Sequence, residues 1–214
     1  MTLLLAATAC SSDGKEAAAG EAEACEGLLG AGGIEWIKKS TQQDTTLGSD
    51  GSIQSARSRF QKYARVWDPK SEEVPLFSST EVCRVLVQDQ TPRKNYLTIR
   101  YGASIFPFDF PFEREIGMEA GRTVIPVNSE VKLVHYKERQ GVATQYHIYV
   151  KCKVSDSPEG QEREVPLQGV MEDTLTGDTS DEVHLKYLLH STRVLVRDFG
   201  CQNRPSVPEE VTGH

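Results

Sequence analysis

Val82-Cys83-Arg84-Val85-Leu86-Val87 decides the fold, because here the apolar repeat shortens to two residues. Cys83, Val85 and Val87 alternate along it, and Leu97, Ile99 and Tyr101 repeat the pattern beyond the turn-like Thr91-Pro92-Arg93-Lys94-Asn95. A period of two puts one set of side chains on one face of a strand, and two such runs about a turn predict a β-hairpin. A second hairpin is predicted from residues 131–136 and 144–152, joined around Gly141. Residues 123–127 are expected to add an edge strand, since Pro126 cannot donate to a ladder. A further short strand is expected over 165–171.

Helices bracket these strands. Leu28, Leu29, Trp36 and Ile37 recur near helical spacing, but Gly30, Gly32 and Gly33 weaken a helix there. The helix is therefore expected over 31–39, with Lys38 and Lys39 near the C-terminal end that favours cations. Residues 53–67 carry Ile53, Ala56, Phe60, Tyr63 and Trp67 on one face and stop at Asp68-Pro69. Arg57, Arg59, Lys62 and Arg65 on the same segment read as a solvated face rather than a patch for acidic ligands. The strongest helix spans 181–199, where Leu185, Leu188, Leu189, Thr192, Leu195, Val196 and Phe199 form one stripe. Thr179 and Glu182 match a capping box, and Gly200 stands where a C′ glycine ends a helix. Strands between helices without βαβ alternation give an α+β fold: an antiparallel sheet of about 4–6 strands covered by N-terminal helices and a long C-terminal helix.

The 214-residue chain carries a net charge of −7, of which residues 11–24 supply −3 and Glu209 with Glu210 supply −2. The core is thus nearly neutral and has no basic patch with interleaved aromatics, which argues against nucleic acid as a partner. Residues 3–9 are a short apolar run ending in Ala7-Thr8-Ala9, the profile of a secretory signal and far shorter than a membrane span. Cys10 follows at once, then the polar Ser11-Ser12-Asp13-Gly14. This order resembles the lipobox of bacterial lipoproteins, which implies that Cys10 is the lipid-modified first residue of the mature protein. Ala7 stands where Leu is usual and no Lys or Arg precedes the run, as a start site placed too far downstream would leave it. An ordinary signal peptide cleaved after Ala9 and a cytosolic N-terminus are the alternatives. Two acyl chains at Cys10 would hold the protein stably at a membrane where one would not.

The expected organisation is a truncated signal peptide over 1–9 and a lipid-anchored flexible spacer over 10–24. A single α+β domain over 25–204 and a disordered tail over 205–214 complete it. The spacer is Ala/Glu/Gly/Ser-rich with no large apolar side chain, so it is read as a coil reaching roughly 20 Å.

Five cysteines leave an odd one, which a lipidated Cys10 resolves if the other four pair. Four cysteines allow three connectivities. Cys25–Cys83 with Cys152–Cys201 is favoured because each pair ties a helix to a neighbouring strand, and four buried free thiols are the alternative. There is no Cys-x-x-Cys, so neither zinc nor a redox pair is indicated.

Among candidate sites, Ile105-Phe106-Pro107-Phe108-Asp109-Phe110-Pro111-Phe112 holds four of the seven phenylalanines. In an extended segment Phe106, Phe108, Phe110 and Phe112 share one face, and Pro107 and Pro111 confine it to an edge or loop. The rings either roof the core or make an exposed ridge for a partner. Asp173, Asp178, Asp181 and Glu182 suggest oxygen ligands for calcium, but the spacing is not that of an EF-hand and two of them open a helix, where acids are favoured. Ser129-Glu130-Val131-Lys132 fits the Ser-x-x-Lys string, yet it begins a strand and no Lys-Thr-Gly follows. His135, His147, His184 and His190 show no ligand spacing and read as surface or packing residues. No catalytic, cofactor or metal residues are assigned.

These features resemble a class of small actinobacterial secreted lipoproteins of uncharacterised function. The shared marks are the lipobox and polar spacer, Cys25-Glu26-Gly27-Leu28-Leu29, the Cys83-Arg84-Val85 strand and the Gly200-Cys201 helix end. The resemblance implies a lipid anchor at the extracytoplasmic face of the cell membrane and structural disulfides, and it brings no activity with it. The expected function is a monomeric, non-enzymatic lipoprotein binding an envelope protein partner. A carrier with an apolar cavity between sheet and helices is the first alternative, and an envelope hydrolase the second.

Overall fold

The structure is a computed structural model that describes residues 13–71, 77–88, 95–112, 122–136 and 144–211. The signal segment, Cys10, the turn at 91–94 and the join around Gly141 lie outside these residues. The elements are α1 (Asp13–Thr41), β1 (Thr45–Gly48), α2 (Ile53–Val66), β2 (Thr80–Val87), β3 (Tyr96–Ala103), β4 (Arg122–Pro126), β5 (Val131–Tyr136), β6 (Gln145–Val150), α3 (Gln161–Glu164), β7 (Leu167–Asp173) and α4 (Asp181–Phe199).

The seven strands form one antiparallel sheet in the order β1-β2-β3-β7-β6-β5-β4. Both expected hairpins are present, β2 with β3 and β5 with β6, and the strand containing Pro126 lies at the sheet edge as its missing donor requires. The sheet has one strand more than expected at its upper bound. The addition comes from β1, a four-residue strand with a single large apolar residue, Leu47.

All the long helices lie on one face. α1 packs on β1 and β2, α2 on β2 and β3, and α4 on β6 and β7 and against both other helices. Cys83, Val85, Leu97, Ile99, Leu133, Ile148 and Met171 point into this layer and are fully buried. Phe60, Tyr101 and Phe199 fill its centre, with Phe199 5.8 Å from the Phe60 ring and 6.4 Å from Tyr101. Gly169 makes room for them: a Cβ there would stand 2.5 Å from Tyr101 Cε1.

α1 begins at Asp13 and so overturns the expectation of a coil through residue 24. Ala and Glu are among the strongest helix formers, and a helix needs large apolar residues to pack, not to continue from a packed segment whose nucleation is complete. The helical path breaks at Gly30, with φ 66° and ψ 169°. The glycine also seats α4, since a Cβ at 30 would lie 2.8 Å from His190 Nε2.

α4 has the boundaries read from its stripe and ends at Gly200 in the left-handed region, φ 67°. Its cap is Ser180, which accepts from the Val183 amide at 3.4 Å, rather than the expected Thr179 with Glu182. The shift by one residue follows from the loop before it, where Asp178 accepts the Ser180 amide at 2.8 Å and the Trp36 indole N–H at 2.8 Å.

Both favoured disulfides form. Cys25–Cys83 ties α1 to β2, and Cys152–Cys201 ties the chain leaving β6 to the end of α4. Such bonds persist in oxidising, extracytoplasmic surroundings. Among the described residues no helix is long and apolar enough to cross a membrane. Residues 205–211 are irregular but not loose, contrary to expectation. Pro205 is buried and Val207 packs on the core. The Ser206 amide donates to Glu130 at 3.1 Å, and Arg193 meets Glu209 at 2.8 Å. Prolines exclude regular structure there; they do not exclude packing.

Candidate functional site

Chain topology gathers rings and carboxylates at the rim where the inner face of β5, β6 and β7 meets the first turn of α4. His135 on β5 and Tyr146 on β6 are cross-strand partners, and their rings stack with centroids 4.8 Å apart and planes 7° from parallel. His184 of α4 stacks on the other side of Tyr146 at 4.5 Å and 10°. Trp36 of α1 meets His184 edge-on at 5.1 Å and itself stacks on Tyr187 at 5.1 Å. A five-ring column thus joins two strands and two helices beside a cleft of about 500 Å³.

Three aspartates serve this column. Asp173, with its side chain 2% exposed, sits 2.8 Å from His184 Nε2 and also accepts from the Leu175 and Thr176 amides at 2.7 and 3.0 Å and from the Thr176 hydroxyl. Asp181 bridges His135 Nδ1 at 3.0 Å and the Tyr146 hydroxyl at 3.1 Å. Asp178 is occupied by Trp36 and Ser180, as described. Three of the four carboxylates considered as calcium ligands, Asp173, Asp178 and Asp181, therefore already hold protein donors. Among the described residues no group of three or more His, Cys, Asp or Glu is arranged to hold a metal ion.

The chemistry of His184 follows from its two partners. Nε2 faces a carboxylate and Nδ1 faces the Ser180 carbonyl at 2.7 Å. Both are acceptors, so both nitrogens donate and the ring is an imidazolium. Burial opposes that charge, but the hydrogen bonds to Asp173 and Ser180 outweigh it and raise the pKa above the ordinary histidine value. Burial would likewise raise the Asp173 pKa, and the bonds from His184 and Thr176 reverse this and lower it. With neither lone pair free, His184 is a charged clamp on α4 rather than a base.

The phenylalanine segment opens the connection that leaves β3 in mid-sheet for β4 at the far edge. It runs as a loop over the outer face of the sheet, not as a strand. Phe108 and Phe112 are 5% and 2% exposed and form a second core with Val134 and Tyr149, against which Phe106 and Phe110 are half-buried. Phe112 lies 4.8 Å from the Tyr149 ring, and Phe106, Phe110 and Phe112 contact one another at 4.6–5.6 Å. The rings roof the sheet, so the exposed ridge does not exist as four coplanar side chains. The extended-strand premise failed because Phe110 N–H bonds Pro107 O at 3.0 Å and curls the segment.

Sequence reasoning missed the column, although it placed each ring on the right type of element. The available signal was polarity inside an apolar stripe. His135 shares its strand face with Leu133, and Tyr146 shares its face with Ile148. The Ser-x-x-Lys string leads into β5, as expected, with Asn128 Oδ1 accepting the Glu130 and Val131 amides at 2.8 and 2.9 Å. Comparison of the chain with protein-family models, with curated proteins and with solved structures finds no match. The class defined by the structure is thus a disulfide-closed α+β domain with helices on one face of a seven-stranded sheet.

Proposed function

We propose that the chain is an exported lipoprotein, acylated at Cys10 and held at the extracytoplasmic face of the cell membrane, with a non-enzymatic binding role toward an envelope partner. The observation that carries this reading is the cysteine arithmetic: four of the five cysteines are consumed by two disulfides. Cys10 is left over, directly after an apolar run closed by small residues. A non-enzymatic role is supported by the engagement of both His184 nitrogens, since the most buried carboxylate–histidine contact then has no vacancy for a substrate proton.

The test is intact mass and detergent-phase partition of the protein expressed in a bacterial host, beside Cys10→Ser. The expected result is a wild-type product that starts at Cys10, carries acyl mass and enters the detergent phase, while Cys10→Ser stays in water. A wild-type product that keeps Met1 and remains in water would refute it.

A further inference from the structure

A cleft of about 670 Å³ opens at the other end of the sheet, between the start of α2 and strands β2 and β3. Glu81 lines it with a carboxylate that is almost wholly buried. Between Glu81 and Cys83 the β2–β3 register slips by one residue. Residues 81 and 84 are three apart, so strict alternation would put them on opposite faces of the sheet; the extra residue of the bulge brings both to one face. Among the described residues the β1–β2 pairing ends at Gly48 opposite Arg84, and the chain turns away into α2, leaving room beside Glu81.

The Glu81 side chain is 5% exposed, and its Oε2 is held by Arg84 at 2.8 Å and faces Arg100 at 3.7 Å. Oε1 has no hydrogen-bond partner among the described residues, nor has the hydroxyl of its neighbour Thr80, which is 8% exposed. Buried acceptors are seldom left unsatisfied. Around them stand Arg59, Arg84 and Arg100 against Asp50 and Glu81, a surplus of one positive charge. The positive end of the 14-residue helix α2 points the same way.

We propose that this cleft binds a small hydroxylated monoanion, a sugar acid, whose carboxylate lies against Arg59 and Arg100 and whose hydroxyl donates to Glu81 Oε1. Guanidinium groups pair with carboxylates through charge-assisted hydrogen bonds, and a hydroxyl supplies the donor that Oε1 lacks. The single surplus charge matches a monoanion, whereas a phosphate monoester would leave the cleft negative.

The experiment is isothermal titration and thermal unfolding of the full chain, both disulfides formed, with D-glucuronate and D-gluconate against glucose, acetate and inorganic phosphate. At least one sugar acid is expected to bind with a Kd of ~1 mM or tighter and raise Tm, with glucose, acetate and phosphate each weaker by about tenfold or more. Arg59→Ala, an exposed position that should fold normally, and Glu81→Gln are each expected to weaken binding by about tenfold. Absence of binding by both sugar acids overturns the proposal. Equal affinity for acetate or phosphate also overturns it, marking a nonspecific anion site, as does an unchanged affinity in Arg59→Ala.

Discussion

At the scale of single residues, the proton on His184 ties folding to pH. Its folded pKa is raised, so its contribution is complete below the unfolded value of about 6.5 and is lost as pH climbs through the folded value. Asp173 is lowered, so its contribution holds above about 3.9 and is lost as pH falls through its folded value. His147 acts on the acid side: burial lowers its pKa to about 3, so the native state loses stability as pH falls below about 6.5. Urea midpoints should therefore peak near about pH 6.5 and decline both toward about pH 9 and toward about pH 4. His184→Ala leaves a buried carboxylate without its partner, and is expected to cost about 3 kcal/mol at pH 6 and to flatten the alkaline decline. A wild-type midpoint constant from pH 6 to pH 9 would contradict the imidazolium assignment. Gly169→Ala offers a steric counterpart. Tyr101 cannot retreat, because its hydroxyl is held by Ser191 and Thr192 at 2.6 and 2.7 Å, so the added methyl should destabilise by about 1–3 kcal/mol in the same assay.

At the scale of elements, the phenylalanine segment 105–112 behaves as part of the core. Phe112→Ala should lower stability by about 3 kcal/mol, as for a buried ring, and half-buried Phe110→Ala by clearly less. Equal losses in denaturant titration would mean that the roof is not arranged as described. Legibility also divides by element. β5 and α4 could be read to the residue because each carries both a strong period and end signals: a run of Val131, Leu133 and His135 in one case, a long stripe closed by Gly200 in the other. β1 could not, because Thr45-Thr46-Leu47-Gly48 offers one apolar residue and no period, and it exists only as a neighbour for β2. The helical spacer was obscured by a rule about packing applied to a question about propensity. The ring column was hidden for another reason. Trp36, His135, Tyr146 and His184 lie up to 148 positions apart in sequence, and only the sheet order brings them together.

At the scale of the whole molecule, the two disulfides close loops with sequence separations of 58 and 49, each worth about 4 kcal/mol in the chain-entropy view. Reduction under native conditions should lower Tm by many degrees, and Cys152→Ser/Cys201→Ser should account for about half of that fall. Cys25–Cys83 has a mechanical consequence as well. Tension applied at the N-terminus reaches Cys25 and crosses directly through sulfur into β2, by-passing the rest of α1, β1 and α2. Those elements bear no load while the bond stands. Stretched between its ends, the oxidised protein should unfold about 200 Å shorter than one lacking this bond, at ~3.5 Å for each sequestered residue, and optical tweezers would read the difference directly. A chain moored by one end and tugged by whatever grips its far side would keep α1 beyond Cys25, β1 and α2 slack.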